Sequence, residues 1–266
     1  MNKSDLLQKY EKPEDKLLAS KIIDKIEMCK KRNIVTNTDF LSMYEIKIAE
    51  NILNSMKCNY VFFGGVEEAS RVIAIIYPEK LNERIIEDYY KDIIEIIRIE
   101  LPNSLKGQYM HKDYLSGVMK LGIKREKCGD ILVEDNGADI IVLKEISDYI
   151  ESNLKNLTRF SKSKINKVNL SEIKQVEIKK QEIKIIVQSI RLDTVIAQLA
   201  NTSRTRATDV ISQGRVYINY ENELKNDKTL NVGDILVIRG KGKFEFSSIE
   251  GNTKKNRFVL IFKKYV

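Results

Sequence analysis

The chain has 266 residues, with 46 basic against 38 acidic side chains, 42% hydrophobic content and a single histidine, His111. That much apolar content excludes wholesale disorder, and one histidine excludes a paired-histidine metal centre or a mechanism needing two imidazoles. Three widely spaced cysteines, Cys29, Cys58 and Cys128, without a C-x-x-C pair, argue against a structural zinc site or a disulfide framework and fit a reducing compartment, so neither metal nor cofactor is expected.

From the N-terminus, Glu14 to about Met56 reads as helical, with Leu17, Leu18, Ile22, Ile23 and Ile26 forming an i, i+4 apolar stripe. Thr36, Asn37 and Thr38 before Asp39 are the expected cap of a second helix. Tyr60–Phe63 reads as a short strand ending at Gly64-Gly65. Residues 1–69 thus form a mostly helical N-terminal region. Residues 70–170 alternate: strands at Arg71–Tyr77 and Ile93–Leu101, then a helix at Asp113–Leu121 stopped by Gly122. Next come strands at Asp130–Glu134 and Ala138–Leu143 around the turn Asp135-Asn136-Gly137, a helix at Ser147–Leu157 capped by Ser147, and a strand at Lys164–Leu170. This order suggests a small sheet with helices on one face, an α+β sandwich of the ferredoxin or RNA-recognition type.

Residues 171–183 read as a linker or exposed strand. Residues 184–266 form the last domain, with a strand at Ile183–Val187, helices at Leu192–Leu199 and Thr205–Gln213, and strands at Val216–Asn219, Ile235–Arg239 and Phe258–Phe262. The charge is concentrated here. From Lys184 onward there are 15 basic and 8 acidic side chains, against 31 and 30 before it. Lys106–Lys127 holds a smaller excess of six basic over two acidic. Clustered Lys and Arg suit a polyanion partner. Ser203 can cap the second of the two helices and present its partially positive end, with Arg204 and Arg206 beside it and Arg215 after it, a natural seat for phosphate. Arg239-Gly240-Lys241-Gly242-Lys243-Phe244 adds three cations on a flexible backbone, with Phe244 expected to pack rather than stack on a base.

The order Arg191-Leu192-Asp193, Ser203-Arg204 with Ala207, Ile211-x-x-Gly214-x-Val216-x-Ile218-Asn219 and Val232-Gly233-Asp234-Ile235 resembles the S4 RNA-binding domain. The resemblance implies a helix–loop–helix followed by a small sheet, binding structured RNA through the helix pair. Tyr220 stands where a Gly would often complete the turn begun at Asn219. The string His111-Lys112-Asp113-Tyr114-Leu115-x-Gly117-x-x-x-Leu121-Gly122-Ile123-Lys124-Arg125-Glu126-Lys127-x-Gly129-Asp130-Ile131 has no enzymatic logic of its own, and His111 alone reads as a capping or surface residue. Yet it resembles a signature of the YlmH-type S4-domain proteins. Phe63-Gly64-Gly65-Val66-Glu67-Glu68-Ala69-x-Arg71 resembles another, with Val66 and Ser70 where Tyr and Glu are usual.

This resemblance implies a bacterial ribosome-associated quality-control factor. Such a factor binds a split large ribosomal subunit still carrying peptidyl-tRNA and assists C-terminal tailing of the stalled chain. Carried over by position, it implies RNA contacts at Arg191, Ser203, Arg204, Arg206, Arg215, Arg239, Lys241 and Lys243, with His111, Lys112, Lys124, Arg125 and Lys127 as a second set. The implied partners are large-subunit rRNA, peptidyl-tRNA and the large subunit, bound by a monomer. The start, Met1 to Glu14, is charged and lacks a signal-peptide core, and runs such as Val72–Tyr77 are too short to span a bilayer, so a cytoplasmic protein without a membrane partner is expected. The rival reading is an RNA-modifying enzyme, since Arg191-Leu192-Asp193 superficially matches the catalytic Arg-Leu-Asp of pseudouridine synthases. Against it, no separate catalytic domain follows Asp193, the Gly/Thr-rich continuation is missing, and no nucleotide-binding loop is present.

Overall fold

The computed structural model describes residues 3–173, 180–219 and 221–265. The chain divides into two compact units, Met1–Val176 and Glu177–Val266. Both are α+β with antiparallel sheets. No helix among the described residues is long and apolar enough to cross a membrane.

The first unit opens with α1 (Lys3–Leu7) and α2 (Pro13–Arg32). Pro13 pre-sets the first turn of α2, Glu14 and Asp15 favour its positive end, and Lys30, Lys31 and Arg32 favour its negative end. Its buried stripe is Ala19, Ile22, Ile23, Ile26 and Cys29, whereas Leu17, counted in the stripe from sequence, is 61% exposed. Short strands β1 (Thr36–Asn37) and β2 (Leu41–Ser42) precede α3 (Met43–Ser55), which is followed by β3 (Asn59–Phe63) and β4 (Arg71–Tyr77). The Thr36–Thr38 segment is therefore not a helix cap. Its residues pair with β4, and Ala74 N donates to Thr38 Oγ1 at 2.9 Å. The cap is Ser42, which forms a capping box with Glu45.

Strand β4 lies at the centre of the first sheet, paired with β1, β2 and β3. It thus belongs with the N-terminal residues rather than with the middle sandwich, and this part is not merely helical. Its run of apolar residues reflects burial on both faces. Ala74 and Ile76 pack on α2 and α3, while Ile73 and Ile75 pack on the next sheet.

After α4 (Glu83–Glu87) and α5 (Tyr90–Ile93) comes the second sheet: β5 (Ile94–Glu100), α6 (His111–Lys120), β6 (Cys128–Glu134), β7 (Gly137–Leu143), α7 (Lys144–Leu154) and β8 (Lys164–Val168). The strand order β6-β7-β5-β8, all antiparallel, is the connectivity of a split-βαβ sandwich. Ile97, Ile99, Ile140 and Val142 face α6 and α7, with Tyr114, Val118, Ile150 and Phe160. The opposite face, Ile94, Ile96, Ile141 and Leu143, is buried against Ile73, Ile75, Phe40, Tyr77 and Ile86. The unit therefore stacks as helices, sheet, sheet, helices. Ser147 is not the cap of α7. It sits one turn inside the helix, where its hydroxyl donates to Lys144 O at 2.9 Å and bonds Glu95. On β5 and β7, Arg98 holds Asp139 in a two-point ion pair at 2.8 and 2.7 Å.

The second unit runs β9 (Lys180–Val187), α8 (Leu192–Leu199), α9 (Arg204–Ser212), β10 (Val216–Ile218), β11 (Glu221–Asn222), β12 (Ile235–Ile238), β13 (Gly242–Asn252) and β14 (Phe258–Tyr265). Strand β9 begins within the segment read as a linker, because its pairing with β14 extends to Lys180 opposite Tyr265. Residues 174–179 of that linker, and Tyr220, lie outside the described residues. The eleven-residue β13 is not signalled by local sequence, which suggests a flexible backbone at Gly242-Lys243-Phe244. The sheet order is β11-β10-β12-β13-β14-β9. One face, with Val187, Phe244, Phe246, Leu260 and Phe262, closes over Leu192, Val195, Ile196, Ala207 and Ile211 of the helix pair. Phe244 is buried in that core, as its expected packing role requires.

Candidate nucleic-acid interface

Helix α8 ends where Asn201 takes a left-handed φ of 50°, and Thr202 N donates back to Ala197 O at 2.8 Å. The chain then re-enters a helix at Ser203, whose hydroxyl accepts from Arg206 N at 3.2 Å. Buried Ala207 lets α9 close on α8. Gly214, at φ 67°, supplies the expected stop after α9.

The start of α8 is covered, since Leu192 N donates to Lys228 O at 2.8 Å and Asp193 N to Asn226 O at 3.0 Å. The start of α9 carries exposed Ser203, Arg204 and Arg206. Asp193 organises this end. Its carboxylate, 3% exposed as a residue, accepts from Arg191 Nε and Nη2 at 3.2 Å each, from Arg204 Nη2 at 2.8 Å, and from Thr194 N at 2.9 Å. Burial works against its charge, but the hydrogen bonds from Arg191, Arg204 and Thr194 prevail and hold the carboxyl below the usual range. Two guanidiniums anchored on one carboxylate, with Arg206 alongside, leave an excess of positive charge at a helix N-terminus. That is phosphate-binding chemistry.

The other expected contacts separate into two further places. Arg215 and Arg239 meet beyond the far end of α9, with Arg239 N donating to Arg215 O at 3.0 Å and Arg215 Nη2 to Arg239 O at 3.3 Å. Arg239 also lies over the Tyr217 ring, 5.2 Å from its centroid, and exposed Lys241 follows in the turn into β13. Lys243 points away from the core, because it alternates with buried Phe244, and sits 4.2 Å from the Tyr265 ring centroid. The Val232–Ile235 string is a structural clasp: Asn219, at φ 48°, donates from Nδ2 to Asp234 Oδ1 at 2.8 Å and accepts from Ile235 N at 2.9 Å.

In the first unit His111 and Lys112 are exposed at the start of α6, and Asp113 accepts from Met110 N at 2.8 Å as the helix's N-terminal clasp. Lys124 is exposed. Lys127 is not free, since it bridges Asp39 at 2.7 Å and Glu145 at 2.6 Å. Arg125 is half-buried and its Nη1 donates to the carbonyls of Cys128 and Gly129. Sequence reasoning missed two members of this neighbourhood as individual residues. Arg71 donates from Nε to Cys128 O at 3.2 Å and from Nη2 to Phe40 O at 2.8 Å, and Asp130 accepts from Ser70 N at 2.6 Å. Arg71 ends one of the signature strings and Asp130 lies near the end of the other, so their place in those strings was the available signal. Tyr217 and Tyr265 carried none, because only the β10–β12 and β13–β14 registers set them beside cations.

Residues 87–185 match the family described as a putative RNA-binding domain in YlmH, and residues 190–236 match the S4 domain. A curated relative from Bacillus subtilis (strain 168), named ribosome-associated protein quality control protein P2, is 27% identical over 231 residues, covering 85% of this chain and 86% of the relative. A solved structure named cell division protein ylmH from Streptococcus pneumoniae overlaps 61% of this chain and 96% of its own, at 19% identity and a TM-score of 0.49.

Proposed function

We propose that this chain, an S4-domain RNA-binding protein of the YlmH type, is a non-catalytic cytoplasmic factor of ribosome-associated quality control. In this reading it binds, as a monomer, structured RNA of the large ribosomal subunit together with peptidyl-tRNA, and supports C-terminal tailing of stalled chains. The observation that carries it is the start of α9, where Ser203, Arg204 and Arg206 are exposed and Arg191 and Arg204 are braced on Asp193. The kinship with the Bacillus subtilis relative supports the ribosomal setting.

A pseudouridine-synthase role for Asp193 is disfavoured by its surroundings. The carboxylate is buried and engaged by two arginines and a backbone N–H, which leaves it a brace rather than a nucleophile or base.

The test is co-sedimentation of the full chain with purified large subunits over a range of salt. The Arg204→Gln/Arg206→Gln double variant should bind more weakly, with a log K against log[salt] slope shallower by about 1.5, each phosphate contact contributing about 0.7–0.9. Unchanged co-sedimentation in the double variant overturns the assignment of this face.

A further inference from the structure

RNA-recognition modules of split-βαβ connectivity stack bases on the open face of their sheet. In this chain that face has no opening, because Ile94, Ile96, Ile141 and Leu143 are buried against the first sheet. An RNA contact made by the first unit therefore cannot use that face. One edge has the chemistry for it.

The two signature strings, far apart in sequence, meet there. Ser70 N donates to Asp130 Oδ2, and Arg71 and Arg125 both donate to the single carbonyl of Cys128. The meeting point is a bulge in β6 between Cys128 and Ile131, and a bulge re-aims backbone groups that a regular ladder would consume. Two guanidiniums are thus pinned side by side, half-buried, with the Asp130 carboxylate between the strings; the charged form of His111, at the start of α6, is opposed by burial and Arg125 and favoured by Asp130. Arg125 is disfavoured as a cation by its burial and then by Arg71. Among the described residues, no intramolecular hydrogen bond engages Arg125 Nε or Nη2, or Arg71 Nη1. Paired cations with unused planar donors, and one carboxylate too few to balance them, match a phosphodiester group.

We propose that Arg71, Arg125 and His111 form a second phosphate seat for RNA, assembled across the joint between the N-terminal sheet and the split-βαβ sandwich. The backbone bonds of the two arginines hold the seat in shape, and the remaining donors receive the phosphate oxygens. The inference rests on the RNA-binding reading above. It adds to the expected contacts at His111 and Arg125 that the two act as one seat, and that this seat needs Arg71 from outside the sandwich.

Because His111 is the sole histidine, its ring resonance is an unambiguous reporter inside the full chain. In the free protein burial and Arg125 hold its pKa below the ordinary value, opposed by Asp130. An unmodified tRNA transcript is titrated to saturation and the His111 pKa is followed by NMR. A seated phosphate favours the imidazolium, so the pKa should move upward. In parallel, Arg125→Gln should reduce the salt slope for the same transcript by about 1. A transcript that saturates the wild-type chain while leaving the His111 pKa unmoved overturns the second seat. A wild-type chain that does not bind the transcript at all overturns the RNA-binding reading instead. Should Arg125→Gln fail to fold, the wild-type His111 titration decides alone. A merely structural clamp would change melting temperature on substitution but would move neither the His111 pKa with RNA nor the salt slope.

Discussion

Arg204 Nη2 donates to Asp193 Oδ2 at 2.8 Å, tying the start of α9 to the start of α8 through a carboxylate that Arg191 also grips. Removing the carboxylate while keeping its shape, Asp193→Asn, strands both guanidiniums. With the Arg191 and Arg204 side chains 41% and 59% exposed, solvent offsets part of the loss, and about 1–2 kcal/mol of destabilisation is expected in urea unfolding. The pH dependence has a definite sign. Asp193 is held below its ordinary pKa in the fold, so its contribution is present above the unfolded value of about 3.9 and is lost as pH falls through the folded value. The stability gap between wild type and Asp193→Asn should be constant near neutrality and close below about pH 4. A gap that persists unchanged into stronger acid would show that the carboxylate's charge is not what braces the two helices.

The capping box on α3 permits a separate measurement of helix capping, at a residue that pairs with Arg71 across β2 and β4. Glu45 N donates to Ser42 Oγ at 3.4 Å, and Ser42 N donates to Glu45 Oε2 at 2.6 Å. Ser42→Ala should cost about 1 kcal/mol and Ser42→Thr much less, read by thermal unfolding.

What was legible in the sequence followed from local chemistry. The helix pair at Leu192 and Arg204, the Gly214 stop and the strand at Arg71 were readable because caps, glycines and apolar runs act over a few residues. The misreadings share a cause: each depended on a partner distant in the chain. Thr36–Thr38 looks like a cap until β4 lies beside it. Gly242-Lys243-Phe244 looks flexible until β12 and β14 flank it. Lys127 looks like a free cation until Asp39 and Glu145 approach. Likewise the candidate contacts were legible as residue types, but not their grouping, since Arg215 and Arg239 meet only through the β10–β12 pairing.

Thiol chemistry offers an independent check on the cores. Burial pushes the Cys128 thiol up to about 11, even with Arg125 and Arg71 pulling the other way. Burial also raises Cys29 and Cys58. At pH 8 the native chain should therefore react slowly with a disulfide reagent such as dithiobis-nitrobenzoate. The half-buried Cys58 should react first, and Cys29 and Cys128 only as the chain unfolds. Three thiols reacting at once in the native protein would mean that the α2–α3 packing and the β6 junction open readily.

Two glycines flanking the end of α6 separate the cost of space from the cost of backbone. At Gly117 the backbone is helical and Ala would gain about 1 kcal/mol of propensity. An added methyl, however, would collide with Phe160 Cε2 and meet Cζ at 3.2 Å, and Phe160 is fully buried and stacked on Tyr114. The ring cannot swing away without opening the core, so overpacking of about 1–3 kcal/mol prevails and Gly117→Ala should be net destabilising. At Gly122 nothing lies within 4 Å of the added methyl, but φ is 78°. There the left-handed backbone sets the cost, about 1–2 kcal/mol for Ala. The rescue differs accordingly. Phe160→Leu in the Gly117→Ala background should recover part of the lost stability, whereas Gly122→Asn should be milder than Gly122→Ala because Asn tolerates the left-handed region. Thermal unfolding of these four variants and of Gly122→Ala/Phe160→Leu decides the matter, and equal rescue of Gly122→Ala by Phe160→Leu would show that the two positions are limited by the same contact.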